Sequence, residues 1–403
     1  MSSPHASPPG SFRRLLHRPR YAGFVLTVSL ARTSSAMFNT AGVLLVLART
    51  GSAPLAGLTA AATVVPGAVT GPVLGAWLDV AHRRRLLIVC DQLLSAAGLL
   101  AIVLLAGHAP NWTVPAVAVL YSVTRPLSSG SFLSALAEIA GAELLDQASA
   151  IEATSLNLAV IIGPALAGVL VGAIGASQTV DLQIILTLIV AGLVAINPAF
   201  EARPVERAES LGHALRDGLA ALARIRLLRA TTVSSSLSVF GWGLMVVGFP
   251  LYVVRDLHAP AHASGYLWAA MAAGSILGTF GLRGEPSLAR VALSYAGLGV
   301  SALLWPLAGS LAIGFLLILL TGFLEGPAYS GTIALRQRSV PPAVRAQVMM
   351  TVSGFSAVAL AAGAAIGGAV TNPLVLIDLL VAVNLLAAAV AAGPRLPGRR
   401  LRP

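Results

Sequence analysis

Three ionisable residues interrupt long apolar segments of the chain: Arg32, Arg125 and Glu325. A charged side chain at the centre of a bilayer costs at least about 2.5–3.5 kcal/mol, so such residues are concentrated on ion and substrate pathways. A carboxylate there can carry a proton, because loss of hydration favours its neutral form. We therefore predict that Glu325 carries a proton and that Arg125 or Arg32 is its switching partner or anchors an anionic substrate. A fixed structural ion pair is the alternative.

Two more polar residues are candidates for the same pathway. Asn39 lies in the first apolar segment, and Asp378 lies near one end of the last. The sequence contains no His, Cys or carboxylate cluster with metal-site spacing, no Gly-x-x-x-x-Gly-Lys-Ser/Thr phosphate loop and no Gly-x-Ser-x-Gly elbow. It thus predicts no metal, no cofactor and no catalytic constellation, and the protein is not expected to be an enzyme.

The composition predicts that these residues lie in membrane-spanning helices. Hydrophobic residues make up 57% of the 403 residues and charged residues 10%, whereas soluble domains average roughly 25% charged residues. With about 20 residues needed per spanning helix, we predict an all-α integral membrane protein with twelve transmembrane helices. The predicted spans are 21–48, 53–79, 84–106, 112–138, 148–173, 178–199, 230–254, 263–282, 287–307, 311–335, 345–370 and 373–392.

The positions of the basic residues predict the orientation of these spans. All 26 Lys+Arg residues are arginine, and 22 of them lie in the two tails and in alternate connections. The opposite connections hold only Arg49 and Arg255. Because arginine-rich connections stay in the cytoplasm, both termini are expected there, which requires an even number of spans. The net charge of +11 is thereby explained by topology, and no nucleic-acid partner is expected.

The longest connection divides the chain into two halves. A shift of 199 residues aligns Leu136–Gly168 with Leu335–Gly367, as in parallel repeats of six spans. Within the connection, apolar residues from Leu211 to Leu228 recur on one helical stripe, which predicts an amphipathic helix on the cytoplasmic leaflet. We predict two pseudo-symmetric six-helix bundles in five segments: a basic arm 1–20, a bundle 21–199, a linker 200–229, a bundle 230–393 and a basic tail 394–403.

The connection between the second and third spans reads Gly75-Ala-Trp-Leu-Asp79-Val-Ala-His82-Arg83-Arg84-Arg85-Leu-Leu87. It resembles the signature loop of the major facilitator superfamily, Gly-x-x-x-Asp-Arg-x-Gly-Arg-Arg, although valine and histidine replace the inner Arg and Gly. The resemblance implies a cytoplasmic latch of Gly75, Asp79, Arg83 and Arg84 that stabilises the outward-open state. Asp91, two turns into the third span, is expected to pair with this loop. The alternative is that the arginines serve only as an orientation signal.

Two further stretches carry the resemblance. Gly163-Pro164-Ala-Leu-Ala-Gly168 is similar to the Gly-Pro motif of the family's proton-coupled antiporters, and helix packing independent of substrate is its alternative explanation. Arg125-Pro-Leu-Ser-Ser-Gly130 is similar to an Arg-to-Gly motif linked to proton transfer.

The resemblance extends over residues 20–393 and implies a secondary transporter of the drug and metabolite exporter branches. We expect alternating-access export of a small amphipathic molecule, with protons as the coupling ion. The expected setting is the cell membrane, inner or plasma, with the lipid bilayer around a monomer. Uptake or facilitated diffusion of a metabolite, and lipid flipping, remain alternatives.

Overall fold

A computed structural model describes residues 15, 18, 20–80, 83–201, 220, 222–282, 284–340 and 345–393. The predicted basic tail, and most of both the basic arm and the Leu211–Leu228 stretch, lie outside these residues. The described residues form α-helices and short 3-10 turns, with no strand among them. The helices are α1 (Tyr21–Thr50), α2 (Ala53–Ala62), α3 (Val65–Val80), α4 (Arg84–Leu105), α5 (Thr113–Val123), α6 (Arg125–Ile174), α7 (Ala176–Ile196), α8 (Arg226–Arg255), α9 (Ser264–Gly281), α10 (Leu288–Ala302), α11 (Leu311–Ser339), α12 (Arg345–Ala369) and α13 (Pro373–Ala392).

Within the described residues, nine helices are long and apolar enough to cross a membrane. Three predicted spans have no counterpart among them, namely 112–138, 148–173 and 263–282. The first is interrupted at Thr124, between α5 and α6, and the second keeps only a shorter apolar helix, Ile162–Ile174. The third corresponds to α9, where glycine, serine and threonine lower the hydropathy. The all-helical membrane architecture is confirmed, and the count of twelve stays a prediction.

Helix α6 contains 50 residues, which is too long for one crossing. At 1.5 Å per residue such a helix would extend for about 75 Å, more than twice the roughly 30 Å of the hydrocarbon layer. Its backbone leaves the helical region at Gly141, where φ is 67° and ψ is 169°. Glycine adopts a positive φ without the strain that a Cβ atom would cause. The segment therefore consists of two helices that meet at a kink, three residues beyond the predicted end of the fourth span.

The chain forms two compact units, residues 1–45 with 66–208, and residues 46–65 with 209–403. The second unit therefore includes α2, which the sequence assigned to the first bundle. Small residues account for this grouping: a Cβ atom on Gly57 of α2 would lie 3.0 Å from the backbone nitrogen of Gly368 in α12. The absence of side chains at both positions allows the two helices to pack closely.

Each unit has an aromatic core. In the first unit, the ring of Phe200 lies 5.6 Å from Phe24 and 5.8 Å from Phe132 between centroids. In the second unit, the buried Tyr252 hydroxyl donates a hydrogen bond of 2.5 Å to the carbonyl of Trp305. That bond satisfies a polar group that would be costly to bury alone.

Glycines let α9 and α11 approach each other closely in the second unit. A Cβ atom on Gly278 of α9 would lie 2.7 Å from the carbonyl carbon of Phe323 in α11. From the other side, a Cβ atom on Gly322 would lie 2.9 Å from the carbonyl carbon of Met271. Both distances are shorter than real Cβ contacts allow, so the two backbones pack directly, as small residues permit in membrane helices.

Replacing Gly278 with leucine is expected to lower the thermal unfolding temperature of the purified protein. The new side chain has to push α9 away from α11, and overpacking of this kind costs typically about 1–3 kcal/mol. Gly192→Leu in α7 is the matched control, because nothing lies within 4 Å of the Cβ position there. Equal unfolding temperatures for the two variants would contradict this account of the α9–α11 contact.

Candidate functional site

Glu325 lies in the middle of α11 and is half-buried. The indole Nε1–H of Trp242, on α8, donates a hydrogen bond of 3.0 Å to its Oε1. Within the described part of the chain, no arginine or histidine forms an ion pair with this carboxylate. A carboxylate with a neutral donor as its partner can bind a proton without displacing a cation. A fixed ion pair with Arg32 or Arg125 stays the untested alternative.

A tyrosine near Glu325 also interacts with an arginine further along α11. Tyr295 of α10 interacts electrostatically with both Glu325 and Arg336. The guanidinium of Arg336 is buried and donates to the carbonyl of Thr231, at 2.7 Å, and to the hydroxyl of Ser235. Sequence analysis assigned Arg336 to a connection because α11 was expected to end at 335, whereas the helix continues to Ser339.

Aromatic rings surround the indole that contacts Glu325. The ring centroid of Trp242 lies 6.0 Å from Trp268 and 6.4 Å from Phe249. Phe249 and Trp268 pack edge to face, with 4.9 Å between centroids. These rings fix the orientation of the Trp242 side chain and hence the direction of its hydrogen bond.

Arg32 forms an ion pair in the first unit with Glu152, which lies on α6. Its second guanidinium nitrogen donates to the backbone carbonyl of Glu152 at 3.1 Å. One turn away, the hydroxyls of Ser29 and Ser155 are 2.7 Å apart. Glu152 was not among the partners predicted for Arg32. The shared three-residue spacing, 29 to 32 and 152 to 155, is the signal that could have found it.

Arg125 begins α6 and lies over the ring of Tyr121, with 5.3 Å from Cζ to the ring centroid. It also interacts electrostatically with Asp91 of α4. Asp91 is buried and accepts hydrogen bonds from Ser128 and, at 3.3 Å, from Gln92. The described contacts of Asp91 are therefore with its own helix and with the start of α6.

The arginines after α3 form a second charged cluster in the first unit. Arg84 is buried and binds Glu138 of α6 through two hydrogen bonds, of 2.6 and 3.0 Å, to the two carboxylate oxygens. It also donates to the backbone carbonyl of Glu201 at 2.7 Å, and Arg85 contacts the Glu201 carboxylate at 3.1 Å. Arg83 precedes α4 and is exposed.

The remaining predicted residues occupy varied positions. Gly163 of α6 packs against α1, where its Cβ position is 3.1 Å from the nitrogen of Met37. Pro164 and the buried Gly168 follow in the same helix. Asn39 is half-buried in α1 and Asp378 is exposed on α13. The surroundings of Gly75 and the side chain of Asp79 lie outside what the structure describes, so the latch prediction is untested there. No group of three or more His, Cys, Asp or Glu residues suited to a metal occurs in the part of the chain that was described.

The sequence of residues 24–368 matches the family model of the Major Facilitator Superfamily. The chain belongs to this superfamily. An uncharacterised superfamily transporter of Sinorhizobium fredii, y4rN, is 30% identical over 94% of this chain and 96% of its own length. The multidrug efflux pump Tap of Mycobacterium tuberculosis is 29% identical over 59% of this chain and 58% of that protein. Macrolide efflux protein A of Streptococcus pyogenes is 23% identical over 82% of this chain and 84% of that protein.

Solved structures share the fold of this superfamily member. The POT family transporter PepTSo matches 93% of this chain and 97% of its own length, with a TM-score of 0.66 and 12% identity. The nucleoside transporter NupG matches 92% of this chain and 96% of its own length, with a TM-score of 0.67 and 11% identity. At such identities the likeness establishes the superfamily fold alone, and the chemistry has to be argued from the residues of this chain.

Proposed function

We propose that this protein exports small amphipathic molecules from the cell in exchange for protons. The observation that carries the proposal is Glu325, a half-buried carboxylate in a membrane-spanning helix whose described polar partner is the neutral indole of Trp242. Proton binding there removes the charge that is costly in the membrane. Two relatives are named as efflux proteins, which supports export as the direction of transport.

In this proposal, two six-helix bundles alternate between a cytoplasm-facing and an outward-facing state around a central substrate site. The bias of the arginines towards one side of the predicted spans supports a cytoplasmic location for both termini. The loop 75–87 acts as the cytoplasmic latch of the outward-facing state, and Arg84 is the latch residue whose partner, Glu138, is described. The Asp79 carboxylate completes the latch as the resemblance implies.

Reconstitution into liposomes tests the proposal. The probes are ethidium and erythromycin, an amphipathic cation and a macrolide, and the driving force is an imposed pH difference. One pH unit corresponds to about 1.4 kcal/mol per proton, so one-for-one exchange supports accumulation of up to about tenfold. We expect accumulation of at least one probe that disappears when an ionophore removes the pH difference.

Two other results would overturn the proposal in distinct ways. Equilibration of a probe to equal concentrations, insensitive to the pH difference, would indicate facilitated diffusion. Movement of fluorescent phospholipid analogues between leaflets, without transport of either probe, would indicate lipid flipping.

A further inference from the structure

A small cavity in the first unit lies beside the ion pair of Arg32 and Glu152. Tyr21, Ser155 and apolar residues of α1 and α6 complete its lining. It has room for about one water molecule, and not for a drug-sized ligand. Most of its lining is apolar, but Tyr21, Arg32, Glu152 and Ser155 supply polar groups that can hold a water molecule.

The phenol of Tyr21 supplies a second observation at this place. Its ring is buried, with 1% of its surface exposed, and its hydroxyl has no hydrogen-bond partner among the described residues. Tyr21 also interacts electrostatically with Glu152. Because a buried hydroxyl normally has a partner, a water molecule in the cavity is the natural one, and the same molecule can reach the carboxylate.

We propose that Glu152 is a second proton-binding site of the transport cycle, reached through a water molecule between Tyr21 and Glu152, and that its protonation opens the ion pair with Arg32. The inference rests on the proposed function. The cavity water donates a proton to a carboxylate oxygen of Glu152 and takes up another that comes from the aqueous phase. The water therefore stays neutral, the carboxyl group becomes neutral and Arg32 keeps its positive charge.

The surroundings of Arg32 allow this change. The hydrogen bond of 3.1 Å from Arg32 to the backbone carbonyl of Glu152 does not depend on the protonation of the carboxyl group. The guanidinium therefore keeps one partner when the ion pair opens. Among the described residues, the ionisable groups that interact with Glu152 are Arg32 and Tyr21, both on α1, and no second ion pair reaches it from α4 or α7.

Infrared difference spectroscopy of the full-length protein in liposomes tests the proton-binding step directly. On acidification, the wild type is expected to gain absorption from protonated carboxylic acids, and Glu152→Gln is expected to lose a distinct part of it. Ser34→Ala is the matched control: it removes a hydroxyl of the same helix as Arg32 that lies outside the cavity and contacts the Thr187 hydroxyl at 3.4 Å, and it should keep the full signal. An unchanged acid-induced band in Glu152→Gln would overturn the inference.

Glu152→Gln leaves the Arg32 cation without its ion-pair partner within a span, and this variant could therefore misfold. The double variant R32Q/E152Q removes both charges, and gel filtration checks that the double variant is folded. With two proton sites in the wild type, the slope of log accumulation of ethidium against the pH difference should fall by about half in the double variant. A purely structural ion pair predicts an unchanged slope, which would overturn the inference while the proposed function stands. If the wild type accumulates neither ethidium nor erythromycin, the proposed function fails, and the infrared result still decides whether Glu152 binds a proton.

Discussion

A Glu325→Gln variant is expected to lose the part of the proton-driven accumulation that this carboxylate carries, a factor of up to about ten per pH unit. Glutamine has nearly the shape of glutamate and keeps an oxygen that can accept the hydrogen bond from Trp242, 3.0 Å long in the wild type. The only property removed is the ability to bind and release a proton. The variant should therefore fold normally and still move substrate down its own gradient.

The measurement is accumulation of ethidium and erythromycin in liposomes with and without a pH difference. Glu285→Gln is the matched control, because it removes an exposed carboxylate of the same unit, in the connection between α9 and α10. Accumulation by Glu325→Gln at the wild-type level would contradict the role of Glu325 as proton carrier. Loss of both accumulation and downhill exchange would place Glu325 in substrate binding instead.

Replacing Glu138 with glutamine is expected to lower the free energy of unfolding by about 3 kcal/mol, the lower end of the range for breaking a buried ion pair. The side chain of Arg84 is only 5% exposed, and that of Glu138 is 22% exposed. Glutamine cannot reproduce the two charge-assisted hydrogen bonds, so the buried guanidinium of Arg84 is left without a counterion.

The same cluster offers a control in Glu201→Gln. The side chains of Arg85 and Glu201 are 41% and 58% exposed, and exposed ion pairs contribute about 0–1 kcal/mol. Unfolding of the purified variants by heat or denaturant should therefore separate Glu138→Gln from Glu201→Gln. In addition, R84Q/E138Q should recover part of the loss, because it removes the unpaired cation. Equal free energies of unfolding for Glu138→Gln and Glu201→Gln would refute the larger contribution of the buried ion pair.

Sequence reasoning found the charges of this protein and only some of their partners. Arg32 and Glu325 stand out because each interrupts an apolar run, and a polar residue in such a run has few explanations. Glu152 and Trp242 do not stand out in the same way. Glu152 follows a stretch of polar residues, and its pairing with Arg32 across 120 positions depends on how α1 and α6 pack.

The helix boundaries, too, were predicted only in part. Apolar runs predicted where most of the helices lie. Hydropathy alone did not predict where a helix ends or bends when glycine or proline changes the backbone. The kink at Gly141 and the interruption at Thr124, just before Pro126, arise from backbone geometry that a hydropathy average does not register. The position of α2 in the second unit depends on a glycine contact 311 residues away, from Gly57 to Gly368, and no local pattern encodes it.

The hydrogen bond from Trp242 to Glu325 also gives the protein an optical reporter of its own ionisation state. The indole N–H donates to a carboxylate that carries a full negative charge when ionised and none when protonated, so the field along the indole changes with each proton bound. The chain contains five tryptophans. A variant in which the other four are phenylalanine would therefore emit from Trp242 alone, and its fluorescence would follow proton binding without an attached dye and without knowledge of the substrate.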